Sequence, residues 1–167
     1  MGALFVLLLI VSLLPSLPGT QGVAHYLPLH MALETLVIVV AALTFGVVWS
    51  VRHERLPHNA LLLACGFMGV GLLDFSHMLS YDGMPTFITP SSSEKAINFW
   101  LAARLLGALT LVAVAWLPWS TSASRRYALG LLATVLAVVA AVHGLILYAP
   151  DLLPRTFVPG QGLTPLK

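Results

Sequence analysis

Four apolar stretches of this sequence carry polar side chains at spacings that suit ligand binding. His30 and Glu34 stand at i and i+4, and Asp74 and His77 at i and i+3, so each pair shares one face of a helix. Asn98 and Arg104 lie in the next stretch and His143 in the last. Imidazole and carboxylate groups suit zinc, copper or haem iron, and a guanidinium suits a carboxylate. His30, His77 and His143 are the candidate metal ligands, and the cofactor, metal or haem, stays open. Beyond binding the sequence offers little chemistry. It has no H-E-x-x-H motif, no nucleophile with a base at a defined spacing, no phosphate-binding loop and no carboxylate pair in a hydrolytic context, so no enzyme is expected.

The elements that must position these groups follow from hydrophobicity. The chain has 167 residues, 59% hydrophobic and 8% charged, against roughly 45–50% and about 25% in a soluble domain, so its solvent is the bilayer. Crossing roughly 30 Å of hydrocarbon takes about 20 apolar residues. The runs 29–51, 59–79, 96–117 and 127–148 meet that length. Turn and stop signals separate them, among them Tyr81-Asp82-Gly83-Met84-Pro85 and Pro118. The run within residues 1–19 is shorter and reads as a short first transmembrane helix or a signal-like segment. No basic n-region precedes it and no clear A-x-A-like site follows, which favours the helix. The fold class is therefore all-α, a polytopic transmembrane helical bundle of about five helices. Residues 29–148 form its four-helix region, and the proline-rich residues 149–167 form a loop.

Strict alternation puts the Arg52/Arg55 loop and the Arg125/Arg126 loop on one side, which the positive-inside rule makes the cytoplasm. The opposite side holds residues 20–28, 81–95 and the tail. The formal charge of +2 comes from basic residues scattered between spans, so no nucleic-acid partner is expected. Cys65 is the one cysteine and reads as a small packing residue. Gly66-x-x-Gly69-x-Gly71 lies within an apolar run, where small residues let a neighbouring helix approach. His53 and His58 flank a loop and are read as solvated.

Depth is the informative property of the ionisable residues, because within hydrocarbon such groups face protein or a watery cavity. Arg104 lies roughly 12 Å from the start of its run, and His143 about one and a half turns from the end of its own. His30, Glu34, Asp74, His77, Arg104 and His143 thus share the outer half of the membrane, and the inner halves are apolar beyond Thr44 and Thr110. An outward-facing polar pocket accounts for this. Two acids, Glu34 and Asp74, face one buried cation, Arg104, so one carboxyl must be protonated, metal-bound or hydrated. Three other readings stay open: hydrogen bonds that merely join helices, a transporter fragment using Glu34 and Asp74 for protons or cations, and a haem carrier with His77 opposite His143.

The motifs Leu29-His30-x-x-x-Glu34, Leu73-Asp74-x-x-His77-x-Leu79-x-Tyr81-x-Gly83-Met84 and Trp100-x-Ala102-Ala103-Arg104 follow one another in a family-like order. Val158-Pro159-Gly160-x-Gly162-Leu163-Thr164-Pro165-x-Lys167 completes the set. The chain resembles the third type of bacterial membrane-associated sensor domain from about residue 25 to the end. The resemblance implies an N-terminal input domain of the inner membrane that regulates a cytoplasmic histidine kinase or diguanylate cyclase, in assemblies that are usually dimeric. In that family the last loop runs on into a further transmembrane helix and the output domain. Here the sequence stops at Lys167, which implies a fragment or a truncated gene.

Overall fold

The computed structural model describes residues 26–54, 56–119, 123–158 and 162–164, so the apolar run within residues 1–19 lies outside the described residues. It contains four long helices: α1 (Tyr26–Ser50), α2 (His58–Leu79), α3 (Ser93–Trp116) and α4 (Arg125–Tyr148). All four are long and apolar enough to cross a membrane. The chain is an all-α, multi-pass transmembrane bundle. It divides into two compact units, residues 1–31 and 32–167. The described part of the first is the opening of α1, and the second holds everything that follows.

Two helices begin before their apolar runs because of capping. Ser92 accepts a hydrogen bond from the Lys95 amide at 3.2 Å, and Ser124 accepts one from the Tyr127 amide at 3.2 Å. Each satisfies an amide that the first turn leaves without an intrahelical partner. Helix α2 instead starts after Pro57, whose φ of −66° suits helix entry.

Helix α2 is the axis of the second unit. In its most apolar stretch 61% of the residues are buried, against 17% for α3 and for α4. The glycine series explains how neighbours reach it. A Cβ on Gly66 would collide with the Thr110 side chain of α3. One on Gly69 would come within 2.7 Å of Val135 on α4 and 2.8 Å of Leu106 on α3. One on Gly71 would stand 3.1 Å from the Cβ of Ala41 on α1. Each glycine therefore seats a different contact, which is how close packing drives helix association in lipid. Phe99, Leu73, Cys65 and Ala103 fill the core between these seats.

Side chains fix the helix directions. Near the start of α2, Asn59 donates to the Leu117 carbonyl at the end of α3 at 3.0 Å, and His58 meets Tyr127 of α4 edge-on at 4.3 Å. Helices α2 and α3 are thus antiparallel, and α2 and α4 run the same way. His53 is exposed, but His58 is half-buried against that ring rather than solvated. At the other end the 80–92 loop is tied down by Lys95, whose ammonium donates to the carbonyls of Phe87 at 2.7 Å and Thr89 at 3.0 Å. Its Tyr81–Met84 turn closes with a 3.0 Å backbone bond across Gly83, which sits at φ +89°.

The tail has more structure than a loop. After the 3-10 turn Pro150–Leu152, strands β1 (Phe157–Val158) and β2 (Gly162–Leu163) pair antiparallel, Phe157 with Leu163 and Val158 with Gly162. Thr156 fastens this hairpin to α3. Its amide donates to Glu94 at 3.3 Å and its hydroxyl to Asn98 at 3.1 Å.

Candidate functional site

The centre of the site is an ion pair between antiparallel helices. Asp74 lies about five residues, roughly 7 Å, from the end of α2, and Arg104 roughly 16 Å from the start of α3. Side chains on a helix lean toward its N-terminus, so the Arg104 guanidinium reaches back to the level of Asp74. One of its terminal nitrogens donates to Asp74 Oδ2. Asp74 is fully buried, whereas the Arg104 side chain is 44% exposed. The second oxygen, Asp74 Oδ1, is buried without a hydrogen-bond partner among the described residues.

Two histidines flank this pair. His77 Nδ1 lies 2.7 Å from the Ala96 carbonyl of α3. A carbonyl can only accept, so Nδ1 carries the hydrogen. A Glu34 carboxylate oxygen lies within 4.8 Å of a His77 ring nitrogen. The sequence places two acids around one arginine, and the structure separates them: Asp74 goes to Arg104, and Glu34 stands by the imidazole. His30 falls one turn before Glu34 on α1, in the N-terminal unit.

His143 enters from α4 on the other side. Its Nδ1 donates to the Val139 carbonyl at 2.8 Å, and its Nε2 lies 2.7 Å from the Ser76 hydroxyl. Ser76 Oγ is also 3.0 Å from the Leu72 carbonyl. The hydroxyl has one hydrogen for two directions. Nε2 of His143 and the Leu72 carbonyl are the two positions it can face. Both His143 nitrogens are thus hydrogen-bonded within the protein. Phe99 packs against the ring at 4.9 Å.

Asn98 does not join this cluster, since its carbonyl oxygen holds the tail through Thr156. The two threonines of the apolar halves are also accounted for. Thr44 donates to the Val40 carbonyl of its own helix at 2.8 Å, and Thr110 is buried against Gly66. They form no polar path among the described residues.

Residues 22–167 match the family MASE3, membrane-associated sensor domain. The chain belongs to that family. No curated protein and no solved structure matches it. The resemblance seen in the motifs therefore holds, and the MASE3 domain is a membrane-embedded sensory module. Its motif residues Asp74 and Arg104 pair, His77 lies one turn beyond Asp74 on α2 and bonds α3 at Ala96, and the tail motif residue Gly162 belongs to the hairpin.

The same end of this MASE3 domain contains a cleft that sequence reasoning did not anticipate. It has a volume of about 480 Å³ and is lined in part by Glu94, Lys95, Asn98, Asp151 and Arg155. Its walls come from the end of the 80–92 loop, the start of α3, the end of α4 and the tail. The signal lay in the mixed charges of residues 94–95 and 151–155, and the Thr156 anchor together with Leu153, packed on the core, brings those segments together.

Proposed function

We propose that this domain is the input of a cytoplasmic histidine kinase or diguanylate cyclase, set in the inner membrane with its polar end facing outward, and working as a dimer. Glu34, Asp74, His77 and Arg104 form the site whose occupancy or protonation shifts helix packing, with His30 one turn from Glu34 and His143 acting through Ser76. The signal is extracytoplasmic or membrane-borne. The observation that carries this reading is the Asp74–Arg104 pair, a fully buried acid held by an arginine that is itself 44% exposed. An ion pair that only stabilised the bundle gains by burying both partners with their hydrogen bonds completed. Among the described residues this one leaves Asp74 Oδ1 and several Arg104 N–H groups without a hydrogen bond, which supports a site that a ligand can complete.

The test joins this domain, through a further transmembrane helix, to a diguanylate cyclase and measures product in cells across growth conditions. Asp74→Asn and His77→Ala are expected to lock output high or low. An unchanged response from both variants at normal membrane abundance overturns the proposal.

A further inference from the structure

An apolar groove of about 320 Å³ opens beside the ion pair, lined by Leu36, Val37, Val40 and Ala41 of α1, Phe67 and Val70 of α2, and Arg104. Arg104 is its one charged residue. Val70 and Phe67 lie one and two turns deeper than Asp74 on α2, so the groove runs inward from the pair for roughly 10 Å. Leu36, Val37 and Val40 are 60%, 42% and 55% exposed, and they descend α1 in the same direction.

Charge and donor counts define what fits. A guanidinium has five N–H donors, and among the described residues the only hydrogen bond of Arg104 is the one to Asp74. The remaining donors have no hydrogen-bond partner among the described residues and open on an apolar groove, so an acceptor is favoured there. The acceptor should carry no charge. Asp74 already neutralises Arg104, and a second anion at this depth would stand uncompensated. We infer that the groove is a lateral binding site for an uncharged, carbonyl-headed, single-chain amphiphile from the membrane. Its carbonyl oxygen accepts from Arg104, and its chain lies along Leu36, Val40, Val70 and Phe67. An alkylated quinone and a fatty ester share this chemistry. The site rests on the sensory reading above and supplies the ligand class for it.

The test uses the full chain in phosphatidylcholine nanodiscs with a decanoate ester that carries a photoreactive diazirine on its chain. Crosslinks are expected on Leu36–Ala41 and Phe67–Val70. Excess decyl-benzoquinone and excess methyl decanoate distinguish the two sources by which of them removes the crosslinks more effectively. Decanesulfonate, with the same chain and a charged head, is expected to compete about tenfold less well, the loss set by one unfavourable charge contact. Val40→Trp fills the groove without touching the ion pair and should abolish the crosslinks. Labelling elsewhere only, labelling that persists in Val40→Trp, or sulfonate competing as well as the ester overturns the site. Binding is read here without any output domain. Cyclase output that depends on Asp74 together with an unlabelled groove leaves the sensory reading standing and removes the ligand, and a labelled groove with output indifferent to Asp74 does the reverse.

Discussion

Helices α1 and α2 are both apolar enough to span a membrane, yet 61% of the central stretch of α2 is buried and only 6% of that of α1. The more apolar of the two, α1, is the less buried, so apolarity does not set the packing. Small residues do, since α2 has Gly66, Gly69 and Gly71 where neighbours come close, whereas Gly46 of α1 has open space beside it. Ala41 is the buried apolar residue of α1, and it meets the glycine seat at Gly71. In lipid a leucine gains little by leaving the hydrocarbon, so packing depends on how closely backbones approach. The site is therefore built from a fixed wall and a lightly held one. Asp74, Ser76 and His77 stand on the fixed wall, and Glu34 on the other.

The sharpest way to break this contrast is to remove one acid from each wall. Asp74→Ala leaves the Arg104 guanidinium unpaired and is expected to cost about 3–5 kcal/mol in a denaturant titration in micelles. Glu34→Ala should cost under about 1 kcal/mol, since α1 contributes little to folding. Equal costs would mean that α1 is as firmly built in as α2. The double variant Asp74→Ala/Arg104→Leu should recover most of the loss, because no charge is then left alone.

Apolar truncations sharpen the same contrast at smaller scale. Leu73→Ala on α2 should lose about 2 kcal/mol, at the low end for a core leucine because lipid also solvates the unfolded segment. Leu43→Ala on α1, where the leucine is 61% exposed, should stay within about 0.5 kcal/mol by the same titration. Amide exchange should follow suit, with α1 opening at a lower free energy than α2. A further modest effect, confined to one turn, concerns a helix end. Ser92→Ala removes a cap and should cost about 1 kcal/mol, seen as faster exchange at the Lys95 amide.

Much of this was legible before any coordinates. Apolar run length identifies the spans because hydrocarbon thickness sets a minimum, and it misplaces their ends where Ser92 and Ser124 begin a helix within polar sequence. That Arg104 meets an acid is readable from depth, since Glu34, Asp74 and the arginine share one level, but depth does not choose between the two acids. Depth says nothing about rotation. The turning of α4 places His143 against Ser76 and Val135 against Gly69, and no residue spacing encodes it. Asn98 looks like a site residue by type and level, and its link to Thr156 rests on a contact across 58 positions that no local pattern encodes. The polar cleft was hidden for the same reason.

The Thr156 anchor has a mechanical consequence. Glu94 and Asn98 hold the tail, and both stand on α3, the helix that also carries Arg104. A twist of α3 about its long axis moves the guanidinium and the anchorage together, as a crank moves its pin. Any segment joined to the tail then inherits the angle of α3, and a change of a few degrees at the arginine becomes a sideways step at the exit of the bundle.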